Sequence, residues 1–292
     1  MMSQNKLKIF ITGSKGFVGT HIKNTLIKKY QLLTPSKKIL NLNNTLQLKK
    51  FIDNNNPNII IHLASSTKFK QKKLNEKKNQ IKNTFNVTKN LIRNINSECK
   101  LIIFFGSIEE YGMAKCPFNE KQLAKPVSYY GKYKYKSYLY ISSFLKKKGF
   151  NFIWLRPSLI YGHGDNKERY LGYILDSIKK NKNFYITPGN QIRDYIHIDD
   201  ICKVLSILLI NYERKYNCIL NISAQNYIKI KSIPIIIERL IKRKINYVFK
   251  KTKKKEINLF NSNKKLLKMF PNLKFMSFEK GLIKTLKDYS IL

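Results

Sequence analysis

Tyr130 and Lys134 stand four residues apart in the stretch YYGKYKYKSY, residues 129–138. On a helix, that spacing puts a phenol and an ammonium on one face. A tyrosine ordinarily ionises at about pH 10, and a nearby positive charge favours its phenolate. Such a pair can take a proton from a hydroxyl or, in reverse, return one to a carbonyl. Spacing alone does not choose the tyrosine, because the same ten positions hold five tyrosines and three lysines. A basic, aromatic surface helix would read the same way.

A second chemical element lies near the start. In TGSKGFVG, Gly13, Gly16 and Gly19 are spaced GxxGxxG around Lys15, Phe17 and Val18, between the strand-like LKIFIT and a helical run. Glycines let a backbone turn tightly and approach a pyrophosphate, with a helix N-terminus facing the negative charge. A dinucleotide site is therefore expected. NAD sites usually end the second strand with an acid that holds the ribose hydroxyls. Here that region reads TPSKK, with Thr34, Ser36, Lys37 and Lys38 and no acid. Together with Lys15 these residues offer hydroxyls and positive charge to a 2′-phosphate, which favours NADP over NAD.

Strand-like and helical segments alternate around these residues. The apolar runs PNIIIHLASS, CKLIIFFGS and NFIWLRPS read as buried strands. Helices are expected over NTLQLKKFIDNNN, over about 79–96 and over the Tyr–Lys stretch, with Gly149 as its C-cap. This order predicts an α/β fold, a doubly wound parallel sheet with a smaller C-terminal substrate lobe. Residues 1–157 and about 193–223 are assigned to the nucleotide-binding domain. Residues 158–192 and 224–292 are assigned to the lobe. The lysine-rich FKKTKKKE, 249–256, reads as a solvated loop or edge.

Composition limits the other classes. The net charge is +40, yet only seven of the 57 basic residues are arginines, and the lysines are spread along the chain. Arginine is the better phosphate fork and base reader, so no specific nucleic-acid partner is expected. Cys99, Cys116, Cys202 and Cys218 lack the spacing of a metal site, and no metal is expected. No apolar run reaches the roughly 18 residues of a membrane helix. The opening MMSQNKLKIFITG lacks the apolar core of a leader. A cytoplasmic protein without membrane contact is expected.

Taken together, the motifs resemble the extended branch of the short-chain dehydrogenase/reductase superfamily, the NAD-dependent epimerase/dehydratase family of nucleotide-sugar enzymes. PVSYYGKYK is similar to that family's P-x-S-x-Y-G-x-S-K, which selects Tyr130 as acid/base and Lys134 as its partner and ribose ligand. FFGSIEEYG resembles SSxxVYG and implies that Ser107 binds the reacting oxygen of the substrate. In LNLNN, Asn41 and Leu42 match the pair beside the adenine. HLAS matches the strand end whose Leu63, Ala64 and Ser65 line the cofactor, with His62 read as a core residue. LRPSLIYGHGD resembles LRPFNVYGPGD and implies that Pro157 and Ser158 lie against the nicotinamide, although Leu159 replaces the family's substrate-holding asparagine. GNQIRDYIHIDDI resembles GxQxRDFxHVDD. It implies Arg193, with Gln191, as ligands of the sugar-nucleotide diphosphate, while Asp194, His197, Asp199 and Asp200 brace the loop and cap a helix.

The resemblance also orders the reactions. The family's dehydratases carry an Asp–Glu pair after the catalytic hydroxyl, and here those positions are Ile108 and Glu109. Losing the acid argues against dehydration and leaves Glu109 either as a remaining acid/base or as a polar rim residue. A 4-keto nucleotide-sugar reductase, with hydride transfer at C4 of the sugar, is the favoured expectation. A 4-epimerase with tightly held NAD is the alternative. A non-catalytic cofactor- or RNA-binding protein on the same fold is a second one. A homodimer through the Tyr–Lys helix and the helix before it is expected.

Overall fold

A computed structural model describes residues 6–65, 74–186, 189–250 and 257–292. In chain order its strands are β1 (Lys8–Thr12), β2 (Gln31–Leu33), β3 (Ile59–His62), β4 (Leu101–Phe105), β5 (Phe152–Pro157), β6 (Leu159–Tyr161), β7 (Phe184–Ile186), β8 (Ile192–His197), β9 (Cys218–Ile222), β10 (Asn226–Lys229) and β11 (Tyr247–Phe249). The helices are α1 (Phe17–Leu26), α2 (Thr45–Asn55), α3 (Leu74–Arg93), α4 (Tyr129–Lys147), α5 (Tyr170–Lys179), α6 (Ile198–Ile210), α7 (Ser232–Ile241), α8 (Lys264–Met269) and α9 (Phe278–Asp288).

Six strands form one parallel sheet in the order β2–β1–β3–β4–β5–β9. Their apolar runs are continuous because both faces are covered. Ile9, Ile11, Ile59, Ile61, Ile103 and Leu155 point to the face packed by α1, α6 and α8. Phe10, Ile60, Ile102, Phe104, Phe152 and Trp154 point to the other, under α2, α3 and α4. A side-chain period of two thus divides each strand between two cores. The result is the doubly wound α/β sheet of Rossmann type that the sequence predicted.

The helix expected over 79–96 runs instead from Leu74 to Arg93. It stops where Asn94, Asn96 and Ser97 supply turn chemistry. Helix α4 ends as expected. Gly149 takes a left-handed φ of +73°, its N–H donates to Lys146 O at 3.1 Å, and Phe150 N–H closes onto Leu145 O at 3.0 Å.

A second sheet has the order β10–β8–β6, with β8 antiparallel to β10 and parallel to β6. A parallel pair, β7 and β11, lies beside a third core of Tyr161, Ile174, Phe184, Ile237, Phe278 and Leu282, to which α5, α7 and α9 contribute. Within the stretch 193–222, β9 joins the large sheet, α6 covers it, and β8 belongs to the second sheet. Of the lysine-rich run 249–256, the residues after 250 lie outside the described residues. Among the described residues no helix is long and apolar enough to cross a membrane.

Candidate active site

The strand order reverses between β1 and β3, so the connections leaving their C-terminal ends diverge and open a crevice. A cavity of about 740 Å³ lies there. Thr12, Gly13, Ser14 and Lys15 line it from the glycine turn, and Ser36, Lys37, Asn41 and Leu42 from the loop after β2. Ala64 and Ser65 line it after β3, and Glu76, Asn79, Asn83, Thr84 and Val87 from α3.

The turn needs its glycines for close approach. Gly13 has φ +73°, and a Cβ on it would sit 2.8 Å from Ala64 N. A Cβ on Gly19 would sit 2.3 Å from Gly13 O, whereas one on Gly16 would meet only Gly13 O, at 3.4 Å. Gly16 caps α1 without a side-chain hydrogen bond, and the first turn of the helix carries no acid. The first N–H groups of α1 therefore have no intrahelical acceptor and favour an anion. Ser65 Oγ is buried without a hydrogen-bond partner. A glycine cradle before an uncapped helix start, an orphan hydroxyl and two lysines fit an adenine dinucleotide.

Eight of the residues expected to bind cofactor line this cavity: Gly13, Lys15, Ser36, Lys37, Asn41, Leu42, Ala64 and Ser65. Gly16 and Gly19 form the frame behind it. Phe17, Val18 and Leu63 pack against the sheet core, and Thr34 is half-buried just beyond β2. His62 is a core residue, 6 % exposed. It is held by Thr12 Oγ1 and Thr88 Oγ1, each at 2.8 Å. Burial, with the Lys134 ammonium adding to it, pushes its pKa down to about 3. Sequence reading missed the α3 face. Its signal is the three-and-four spacing of Glu76, Asn79, Asn83 and Val87.

Ser107, Tyr130 and Lys134 come from two elements that are locked together. Ser107 follows β4 and caps a short 3₁₀ turn, Ile108–Glu110, its Oγ accepting from Glu109 N–H at 3.2 Å. Ser128 caps α4 by accepting from Gly131 N–H at 2.9 Å, and its hydroxyl donates to Glu109 Oε2 at 2.5 Å. Gly131 lets the helix start approach that turn, since a Cβ there would sit 2.3 Å from Glu109 O. Lys134 is 7 % exposed, and its Nζ donates to Phe105 O at 2.7 Å. Nζ lies 5.7 Å from the centroid of the Tyr130 ring.

Burial pushes the Tyr130 phenol up, with Glu109 and Glu110 adding to the effect and Arg169 opposing it. The protein alone thus holds this phenol neutral rather than acidified. Burial lowers Lys134 to about 8, partly opposed by the Glu110 carboxylate.

Sequence reading also missed Glu110 and Arg156. Glu110 is fully buried, and its Oε2 accepts from Arg156 Nε at 2.8 Å. The signal is a single charged residue, Arg156, inside the otherwise apolar FIWLRP of β5.

The remaining expected residues belong to the second sheet and its junction with the first. Pro157 ends β5. Ser158 is 3 % exposed, and its hydroxyl donates to Asp194. Burial raises the Asp194 carboxyl to about 6. Arg193 donates through Nη1 to Ile192 O and Ile257 O. Gln191 Oε1 is buried without a partner, as is the hydroxyl of Tyr195. Arg169 caps α5, is tied to Asp165 at 3.1 Å, and acts with Arg193 on the Tyr195 phenol. His197 caps α6, and Asp200 accepts from Met276 N–H at 2.8 Å and Lys203 Nζ at 3.0 Å. These residues brace the loop as the motif implied.

Comparison with known proteins agrees with this arrangement. The profile of the NAD dependent epimerase/dehydratase family matches residues 9–223. CDP-abequose synthase of Salmonella muenchen is 25% identical, over 98% of this chain and 99% of its own. ADP-L-glycero-D-manno-heptose-6-epimerase of Brachyspira hyodysenteriae is 26% identical, over 72% of this chain and 75% of its own. A GDP-6-OMe-4-keto-L-xylo-heptose reductase from Campylobacter jejuni superposes with a TM-score of 0.85 at 20% identity, covering 99% of both chains. The GDP-mannoheptose C4 reductase of the same organism, solved with NADP bound, gives 0.82 at 22% identity over 99% of both.

Proposed function

The chain belongs to the NAD dependent epimerase/dehydratase family, and within it we propose an NADP-dependent reductase of 4-keto nucleotide sugars. The observation that carries this reading is the turn bearing Ser107 locked onto the start of the helix bearing Tyr130 and Lys134, with Ile108 in place of an acid. Carbonyl reduction needs a proton donor at the oxygen, and a protonated tyrosine is that donor. When bound, the nicotinamide supplies the hydride.

The protein's own groups do the rest. The first N–H groups of α1 hold the pyrophosphate, and Lys15 and Lys37 meet the 2′-phosphate. The NADP found in the heptose reductase of similar fold supports this choice of cofactor. Ser107 Oγ accepts from Glu109 N–H, so its own proton is left to donate to the sugar oxygen. Tyr130 gives its proton to that same oxygen. The Lys134 ammonium, anchored on Phe105 O, then stabilises the phenolate left behind. Glu109 is engaged by Ser128 and Ile108 carries no proton, which supports reduction over dehydration. Arg193 on β8 and Gln191 just before it grip the diphosphate of the sugar nucleotide. The protein works as a homodimer through α3 and α4, which light scattering at working concentration would check.

The test is a screen of CDP-, GDP-, dTDP- and UDP-linked 4-keto-6-deoxyhexoses with NADPH and NADH, following cofactor absorbance and product. Consumption of NADPH with formation of a 4-hydroxy sugar is expected. Purified protein that retains NAD and interconverts sugars without added cofactor would replace this reading with an epimerase.

A further inference from the structure

The largest fully buried side chain of the described residues is a cation. Arg156 is 1 % exposed, and its partner Glu110 is 0 %. Such a pair is poor evidence of a role in stability alone, because both ions lose their hydration and apolar residues of similar volume often serve as well. The contacts of this pair point elsewhere.

Three groups converge on the Glu110 carboxylate. Oε1 accepts from Ser107 N–H at 2.8 Å and from Trp154 Nε1 at 3.0 Å. Oε2 accepts from Trp154 Nε1 at 3.2 Å and from Arg156 Nε at 2.8 Å. The guanidinium carbon lies 4.5 Å from the Tyr111 ring centroid and 5.6 Å from that of Tyr138. Tyr138 follows Lys134 by one turn of α4. There is no slack in the arrangement, since a Cβ on Gly106 would sit 2.2 Å from Trp154 Nε1 and 2.3 Å from Glu110 Oε1. The pair thus joins the turn that carries Ser107, strand β5 and the helix that carries Tyr130 and Lys134.

The geometry points to Glu110 as a positioning residue. Paired with Arg156, it fixes the backbone of Ser107, and with it the Ser107 hydroxyl, relative to Tyr130 and Lys134. This inference rests on the reading of Ser107, Tyr130 and Lys134 as the reacting unit. It adds that their spacing is held by the acceptor that Glu110 offers to Ser107 N–H, seated by Arg156, rather than by apolar packing alone.

The test uses two charge-balanced double variants, assayed with NADPH and the fastest substrate of the panel above. Glu110→Gln with Arg156→Met keeps an oxygen that can accept from Ser107 N–H. Glu110→Ala with Arg156→Met removes it. The first is expected to keep kcat within about threefold of wild type. The second should lose about 10²-fold in kcat, the scale of a 1 Å misplacement, with KM unchanged. The loss should vanish when Ser107→Ala is already present. Equal kcat in two folded double variants would overturn the inference. A Ser107→Ala protein with unchanged kcat would instead sink the reading of the site itself. Hydrogen exchange on the wild-type protein supplies a readout that needs neither substrate nor folded variants. The Ser107 amide should exchange as slowly as the interior of β4, and exchange at the rate of an open loop would overturn the inference.

Discussion

The cavity beside the glycine turn and the second-sheet region present their expected binding residues by different means. The cavity is lined by a glycine turn, the loop after β2, the end of β3 and one face of α3, fixed by a six-stranded sheet with both faces buried. In the second-sheet region the expected ligands are long side chains on β8, and Arg193 already donates to two backbone carbonyls. The first surface is preorganised by the sheet. On the proposed reading, the second would exchange internal hydrogen bonds of Arg193 for those of a ligand. Ser107, Tyr130 and Lys134 line neither surface; they stand on the turn after β4 and on α4.

Substitutions should respect that division. The largest effect is expected at Tyr130. Tyr130→Phe should lower kcat by about 10³-fold while leaving NADPH affinity, measured by fluorescence titration, within about twofold. Retained activity would remove Tyr130 from the chemistry.

The next effect separates the two regions. Arg193→Ala should raise KM for the nucleotide sugar by about 10- to 100-fold, the range for a lost charge-assisted bond, with NADPH affinity unmoved. An equal loss of cofactor affinity would show that the two regions are not independent.

A smaller change belongs to the cavity alone. Lys37→Ala should weaken NADPH by about tenfold and leave NADH unaffected, because the proposed contact of Lys37 is with the added phosphate alone. An equal effect on both cofactors would break the assignment of the 2′-phosphate to this loop.

The smallest effect is a titration. Lys134 is lowered to about 8 by burial, while Tyr130 is raised by burial and by Glu109 and Glu110. As pH rises through about 8, Lys134 loses its charge before Tyr130 loses its proton. The kcat for reduction should therefore fall on the alkaline side, by at most about tenfold per pH unit, with a midpoint near 8. A rate that rises there would mean that the phenolate, not the phenol, is the working form.

The same division explains what could be read from residues alone. The strand runs, the glycine turn and the YxxxK spacing were legible because each is a local requirement: continuous burial, close backbone approach, or one turn of helix. Selection of Tyr130 among five tyrosines needed the flanking Ser128 and Gly131, and the structure gives their physical reason in the cap and in the close approach to Glu109. Glu110 escaped notice because its partners, Trp154 and Arg156, lie 44 and 46 residues away in sequence. Only the pairing of β4 with β5 brings them together. The burial of Tyr130 and the two carboxylates near it are likewise tertiary facts that no local spacing reveals.

The central claim is that this phenol, protonated in the resting site, delivers its proton while hydride passes from NADPH to C4 of a nucleotide-bound 4-keto sugar. NADPH carrying deuterium on the transferring face of its nicotinamide tests it directly, with the product read by NMR. The account predicts one deuterium at C4 of the product, one NADPH consumed per sugar, and no labelled product from Tyr130→Phe on the same timescale. Product free of deuterium, or sugar interconverted while the NADPH stays intact, would contradict it.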